Sequence, residues 1–110
     1  AVWLGRSFHG LRLTGVRKYT WPGTGRVIRF DYGPLKLWDF WRVIPPSLVD
    51  GEVLPGKELA TSGSAVRFYV ASSGRLVAER DLPHVSVAVV APELRKLDLF
   101  QAVAEVRPLR

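Results

Sequence analysis

Apolar and polar residues alternate through much of the first third of the chain. Residues 11–21 are rich in β-branched and aromatic side chains, a Gly/Pro cluster occupies residues 22–25, and residues 26–32 return to the same character. Two such runs on either side of a turn sequence predict a β-hairpin. In the second run, one face carries Ile28, Phe30 and Tyr32 and the other carries Val27, Arg29 and Asp31. We expect the first of these faces to point into the core.

The next alternating segment, residues 35–43, has aromatic side chains on both faces. One face holds Leu35, Leu37, Trp41 and Val43, and the other holds Lys36, Trp38, Phe40 and Arg42. Asp39 falls on the first face, which we otherwise expect to be buried. Since burying a carboxylate is costly, its position indicates a β-bulge or a change of register nearby.

Residues 44–63 lose this regularity, because Pro and Gly interrupt them repeatedly and no period is sustained. We interpret them as one long connection. Connections of this length are uncommon in compact domains and often carry function. The segment is therefore either a binding loop or a stretch whose secondary structure the pattern does not reveal.

Three short strands and a helix are predicted for the last part of the chain. The strands cover residues 65–71, 75–81 and 85–90, with turn-forming residues between them. Pro92 then suits the first turn of a helix, and apolar residues recur at helical spacing up to about Val106. We expect this amphipathic helix to cover one face of the sheet.

These elements predict an α+β fold in which an antiparallel sheet of about five to six strands is covered by one C-terminal amphipathic helix. The length of 110 residues suits a single domain. Its parts are a strand-rich basic part, a Pro/Gly connection, and strands followed by the helix, at residues 1–43, 44–63 and 64–110. The longest stretch without Lys, Arg, Asp or Glu, residues 82–92, is far shorter than the roughly 20 residues that cross a membrane.

Composition excludes several kinds of chemistry. The chain has no Cys, so it forms no disulfide and offers neither a thiolate nucleophile nor a thiolate metal ligand. It also lacks Met and Asn, a depletion typical of proteins from hot environments. GC-rich codon usage produces the same bias, and both explanations stay open.

The net charge of +6 is concentrated in the first 42 residues, whose acidic side chains are Asp31 and Asp39 alone. A basic half is typical of proteins that bind nucleic acid, an acidic polymer or anionic lipid head groups. It is equally compatible with a soluble basic surface that binds nothing, and this is the interpretation that we favour from charge alone.

Basic and aromatic residues interleave in this part of the chain and give the candidate ligand-binding residues. These are Lys36, Trp38, Phe40, Arg42, Arg17, Lys18 and Arg29. Such a set on an open sheet can stack bases and neutralise phosphates. Alternatively, the helix or the long connection covers Trp38 and Phe40 and leaves Lys36 and Arg42 at the rim. We favour the second arrangement, because a small core needs its large aromatic residues.

No catalytic motif emerges. Residues 51–58 match the spacing of a phosphate-binding loop, but Glu58 replaces the hydroxyl that binds magnesium and Pro55 removes a backbone donor. His9 and His84 are too far apart in sequence for a metal motif, and we expect His9 to lie in a turn. We therefore predict no catalytic residue, no metal site and no cofactor.

The opening residues 2–14, VWLGRSFHGLRLT, and the strand and helix pattern of residues 75–109 resemble an uncharacterised domain of extracytoplasmic proteins of high-GC bacteria. This resemblance implies an outer-surface or lipoprotein-anchored module. It carries over no catalytic residue, because the family has no established activity.

We therefore expect a non-enzymatic binding or interaction domain, extracytoplasmic in location, whose partner is an unidentified protein or anionic polymer. The alternative is a nucleic-acid-binding β module that uses the basic aromatic face. The third hypothesis, an enzyme with an unrecognised site, requires His9 or His84 beside a carboxylate in a cleft.

Overall fold

The computed structural model describes residues 1–21, 25–41, 51–53, 59–61, 64–71, 74–91 and 96–109. Its strands are β1 Val2–Trp3, β2 Ser7–Phe8, β3 Leu11–Arg12, β4 Gly15–Trp21, β5 Gly25–Tyr32, β6 Leu35–Phe40, β7 Gly51–Val53, β8 Leu59–Thr61, β9 Ser64–Ala71, β10 Leu76–Asp81, β11 Ser86–Val90 and β12 Arg107–Pro108. The helix α1 spans Lys96–Glu105 and lies between β11 and β12.

One antiparallel sheet organises the molecule. Its strands lie in the order β4-β5-β6-β11-β10-β9, and the outer edge of β9 pairs with β7 along one half and with β8 along the other. Two small antiparallel pairs, β1 with β12 and β2 with β3, complete the described strands. The sheet thus joins two meanders, β4-β5-β6 and β9-β10-β11, through the pairing of β6 with β11.

The first meander follows from its turn residues and its alternation. β4 and β5 pair without interruption from Gly15 opposite Asp31 to Trp21 opposite Gly25, which confirms the predicted hairpin. β5 then turns into β6 through Gly33 and Pro34. Gly33 has a φ of 61°, a conformation that glycine adopts at little cost and that suits a tight two-residue turn.

The helix-side core fills the space between the sheet and α1. α1 contributes Leu99, Ala102 and Val103, none of which is exposed to solvent. The sheet contributes alternate residues of its central strands, among them Phe30, Tyr32, Leu35, Leu37, Val66, Ala78, Val87 and Val89. Val2, Leu4 and Phe8 from the N-terminal segment pack into the same core.

The opposite face of the sheet carries a second apolar cluster, which we call the far-side cluster. Its buried members are Val27, Trp38, Phe40, Ala71, Val77, Ala88 and Val90, with Tyr19 packed against them. Both faces of the central strands are therefore buried.

Several sequence expectations are confirmed and others are corrected. The α+β class with a C-terminal helix is confirmed, and α1 ends immediately before Val106, although residues 92–95 lie outside the described part. The strands outnumber the predicted five to six. Residues 44–63, interpreted as a long connection or as a stretch whose secondary structure the pattern does not reveal, contain β7 and β8, which pair with β9. The remainder of that segment lies outside the described residues.

The expected irregularity near Asp39 was also wrong. The ladder runs without a bulge through Asp39, which is opposite Ile28 in β5 and opposite Val87 in β11. The carboxylate is accommodated in place because the backbone N–H of Val2 donates a hydrogen bond to it at 2.8 Å.

Candidate functional site

The structure divides the candidate ligand-binding residues between the two faces of the sheet. Lys36, Trp38 and Phe40 lie on the far side, as alternation predicts, and the pairing of β4 and β5 with β6 places Arg29 and Arg17 on the same side. Lys18 lies on the opposite side, since neighbouring residues of a strand point to opposite faces. Arg42 falls outside the described residues.

The two aromatic candidates are closed to solvent. Trp38 is 8% exposed and Phe40 is 3% exposed. α1 does not cover them, because it packs into the helix-side core on the other face. Neither ring offers an open surface on which a nucleic-acid base could stack.

Two of the basic candidates already contact the carboxylate of Asp31. The Nε atom of Arg29 donates to one carboxylate oxygen of Asp31 at 2.6 Å, and a second guanidinium nitrogen donates to the other at 3.1 Å. Lys36 places its Nζ 3.5 Å from the same carboxylate. The Arg29 guanidinium also lies over the rings of Tyr19 and Trp38, at 5.7 and 5.5 Å from their centroids. These contacts hold the Arg29 side chain against the far-side cluster.

The cations on the outer strand β4 differ from Arg29 and Lys36 in their exposure and in their contacts. Arg17 and Lys18 are exposed, and the described part of the chain places no carboxylate beside either of them. Arg17 lies directly opposite Arg29 in the β4–β5 ladder, so two guanidinium-bearing residues share one cross-strand position. Arg26, near the start of β5, is also exposed and places its guanidinium over the ring of Trp41 at 4.6 Å. We call Arg17, Lys18 and Arg26 the basic edge.

A cleft of about 370 Å³ opens on the helix side, at the paired strands β1 and β12. The described residues that line it are Ala1, Val2, Trp41, Arg80, Leu82, Pro83, His84, Val85, Val106, Arg107 and Pro108. Most of these side chains are apolar, and the ionisable side chains among them are basic.

Arg80 is the unusual member of this lining. Its side chain is on the buried face of β10 and the residue is 5% exposed. One guanidinium nitrogen donates to the carbonyl oxygen of Val103 in α1 at 3.0 Å, whereas Nε has no partner among the described residues. Burial lowers the pKa of Arg80, because desolvation disfavours its charged form.

Asp39 lies on the same face of the sheet as Arg80. It is on β6, and β11 separates β6 from β10. Val87 stands between Asp39 and Arg80 in the ladder, so these two charged residues are not paired directly. Asp39 is fully buried, and one of its oxygens has no partner among the described residues. Burial raises the pKa of Asp39 to about 7, against the lowering effect of the hydrogen bond from Val2.

Tyr32 anchors the N-terminal segment beside Asp39. Its hydroxyl accepts a hydrogen bond from the backbone N–H of Leu4 at 3.0 Å and donates one to the carbonyl of Gly5 at 2.8 Å. Burial raises the pKa of this hydroxyl. Asp39 therefore holds the backbone of β1, which forms one wall of the cleft, and Tyr32 holds the two residues that follow Trp3.

The histidines do not complete a catalytic arrangement in the described structure. His9 lies in the turn between β2 and β3 with a φ of 46°, and its Nε2 is 3.3 Å from an exposed Glu105 carboxylate. His84 lines the cleft, but no carboxylate does so among the described lining residues. The described residues contain no group of three His, Asp or Glu that could hold a metal, and no helix among them is long and apolar enough to cross a membrane.

Sequence reasoning missed Arg80 and the cleft. The available indication was the pattern of residues 76–80, in which Arg80 shares a strand face with Leu76 and Ala78. Nothing in that pattern distinguishes an arginine that reaches solvent from one held beneath α1. The cleft itself depends on the pairing of β1 with β12, which joins residues from the two ends of the chain.

Comparisons of this chain with protein families, with curated proteins and with solved structures found no match.

Proposed function

We propose that this protein is a non-enzymatic binding domain whose basic edge receives an acidic, extended segment of a partner protein. The observation that carries this proposal is the position of Arg17, which is exposed on the terminal strand of the sheet and directly opposite Arg29.

The charge arrangement favours an anionic partner. Like charges at directly opposed positions of a ladder destabilise it, and Asp31 engages only Arg29 of this pair. A carboxylate bound beside Arg17 would offset that repulsion. Lys18 and Arg26 extend the positive charge to the other face of the same hairpin, so an anionic chain lying along β4 would meet cations on both sides.

The strand arrangement favours an extended peptide. β4 ends the sheet order, so one of its backbone edges has no strand partner among the described residues. A peptide that adds to such an edge forms main-chain hydrogen bonds and places alternate side chains on opposite faces. Val16 is 48% exposed next to Arg17, which suits a segment that alternates acidic and apolar residues.

Nucleic acid remains the second candidate, and the observation against it is the burial of Trp38 and Phe40. Binding of single strands without sequence preference usually combines cations with open aromatic rings. An extracytoplasmic setting for this binding rests on the resemblance of residues 2–14 to an extracytoplasmic domain.

The test is a fluorescence anisotropy titration with a labelled peptide about as long as β4 that alternates Glu and Val. We expect binding at low salt that weakens at physiological ionic strength, because the pairs are solvent-exposed. Arg17→Gln should weaken binding by about two- to fivefold, the contribution of one exposed ion pair. Arg12→Gln, which removes an exposed cation outside the basic edge, is the matched control and should have no effect.

Two further probes separate the alternatives. The same peptide with Gln in place of Glu, and the Glu peptide with alternate backbone amides methylated, should both bind more weakly. A mixed single-stranded oligonucleotide is titrated in parallel. Equal affinity for the Glu and Gln peptides would contradict the proposal, and salt-sensitive binding of the oligonucleotide alone would replace it with the nucleic-acid alternative.

A further inference from the structure

The cleft beside β1 and β12 combines apolar walls with one buried cation that has incomplete partners. Trp41, Leu82 and Val85 supply apolar surface, and Arg80 is the polar side chain among the buried lining residues. A cleft of about 370 Å³ lies within the size range of small-molecule sites, which are mostly apolar with a few well-placed polar groups.

The charged side chains that line the cleft favour the binding of an anion. Arg80, Arg107 and His84 line it, and no acidic residue is present among the described lining residues. A buried guanidinium without a carboxylate partner is costly, since a single neutral carbonyl replaces only part of its hydration. An anion that contacts the Arg80 guanidinium from the cleft would remove part of this cost.

We propose that this cleft is a binding site for a small organic carboxylate. Its carboxylate group accepts hydrogen bonds from Arg80, and its hydrocarbon part lies against Trp41, Leu82 and Val85. The planar fork of a guanidinium matches a carboxylate. One deeply buried arginine and largely apolar walls suit a monoanion with an apolar body better than a phosphate, which would leave most of its oxygens without donors.

This site shares no residue with the basic edge, although Arg26 of that edge lies over the ring of Trp41, which lines the cleft. Its lining comes from both ends of the chain and from the β10–β11 connection, and it includes none of the basic-edge residues. Either proposal can therefore fail without the other.

The experiment is a titration of the protein with hexanoate, followed by the methyl signals of Val85 and Val2 in nuclear magnetic resonance spectra. Both residues line the cleft, so saturable shifts at these methyl groups locate the ligand. We expect hexanoate to bind at least about tenfold more tightly than 1-hexanol, which has the same apolar body without the charge. Inorganic phosphate should bind more weakly than hexanoate.

Arg80→Met tests the role of the cation. Methionine preserves much of the apolar volume, and removing an incompletely paired buried charge offsets part of the cost of losing the hydrogen bond to the Val103 carbonyl. The variant should fold and should bind hexanoate no better than 1-hexanol. Arg12→Met is the matched control and should bind hexanoate as the parent protein does.

If Arg80→Met does not fold, Leu82→Trp provides the second test, because it narrows the cleft and leaves Arg80 in place. This variant should also lose the hexanoate-dependent shifts. The proposal is overturned if hexanoate and 1-hexanol bind equally to the parent protein, if phosphate binds as tightly as hexanoate, or if the variant that folds retains full affinity.

Discussion

The two faces of the sheet treat their charged residues in opposite ways. On the helix side, Asp39 and Arg80 are fully or almost fully buried and each bonds a backbone group. On the far side, charged residues pair with one another, as in the contacts of Arg29 with the buried Asp31 and of Arg67 with the exposed Asp81 at the rim. The difference shows two uses of charge within one sheet.

The far-side contacts of Arg67 connect neighbouring strands. Arg67 on β9 contacts Glu79 and Asp81 on β10, and its distance to the carboxylate of Asp81 is 3.0 Å. Ser86 on β11 donates to the same Asp81 at 2.7 Å. Such cross-strand contacts support the register of the ladder while the charges keep part of their hydration.

The helix-side groups instead hold segments that lie outside the main sheet. Asp39 and Tyr32 bond the backbone of the N-terminal segment, and Arg80 bonds the last turns of α1. Because each of these side chains is buried, removing one leaves a backbone group without its partner in a place that water does not easily reach.

The largest effect should come from truncating either apolar cluster. Phe30→Ala on the helix side and Phe40→Ala on the far side should each lower the free energy of unfolding by about 3–5 kcal/mol. The two side chains are 1% and 3% exposed, so burial predicts equal costs. Urea denaturation measures both values, with Val16→Ala at an exposed position as the control. A far-side cost below about 1 kcal/mol would mean that the far-side cluster is not a second core.

An intermediate effect should come from the ionisation of Asp39. Its pKa is about 7 in the folded chain and near 3.8 when unfolded, so the folded state retains a proton that the unfolded state loses. The free energy of unfolding should therefore fall as pH rises from about 4 to about 7, by at most about 1.4 kcal/mol per pH unit, and then level off. Asp39→Asn should remove this slope, as judged by urea denaturation at several pH values.

The groups near Asp39 make this measurement specific. The hydroxyl of Tyr32 titrates well above the window, and the two histidines are exposed. If Asp39→Asn keeps the slope of the parent protein, Asp39 is not its cause. If the slope has the opposite sign in the parent protein, Asp39 is held ionised in the folded state.

Local pattern was sufficient to predict the longer strands, β4 to β6 and β9 to β11, and the faces of the aromatic residues in the first meander. The far-side position of Trp38 and the helix-side position of Phe30 both follow from alternation, because the strands of the first meander pair without slippage. The position of α1 followed from the spacing of its apolar residues. Alternation alone does not reveal which elements pack against each face of the sheet.

Asp39 shows the physical reason for this limit. Along the strand it breaks the apolar pattern, and a local explanation would be a bulge. Its actual partner is the backbone of Val2, far away in sequence. Strands β7 and β8 were missed for a similar reason, since each is short and is stabilised by pairing with β9. Contacts of this kind join residues that are distant in sequence, so a local pattern does not reveal them.

The smallest effect should come from the rim pairs. Asp81→Asn should lower the free energy of unfolding by less than about 1 kcal/mol, because the Asp81 side chain is 57% exposed. The hydrogen bond from Arg67 lowers the pKa of Asp81, so its contribution should be present above the ordinary Asp pKa and disappear in acid. Thermal unfolding at low and at high salt measures it, and high salt should reduce the difference between the two proteins.

A larger cost for Asp81→Asn than for Tyr32→Phe at neutral pH would reverse the comparison between the faces, because the Tyr32 hydroxyl is a buried group with two backbone partners. It would mean that the rim pairs contribute more to stability than the buried polar groups do. Ser86→Ala, which removes only the hydroxyl contact to Asp81, gives the scale for the loss of one hydrogen bond at the same place.

The pairing of β1 with β12 brings the first and the last described strands side by side. Val2 is opposite Pro108, and the N–H of Leu109 donates to the carbonyl of Ala1 at 3.1 Å. A short linker could therefore join the two strands, and the exposed turn at Gly33 and Pro34 could be opened instead. Such a circular permutant would keep every strand pairing described above. The same geometry would let the domain be inserted into a surface loop of another protein without separating that protein's own neighbouring segments.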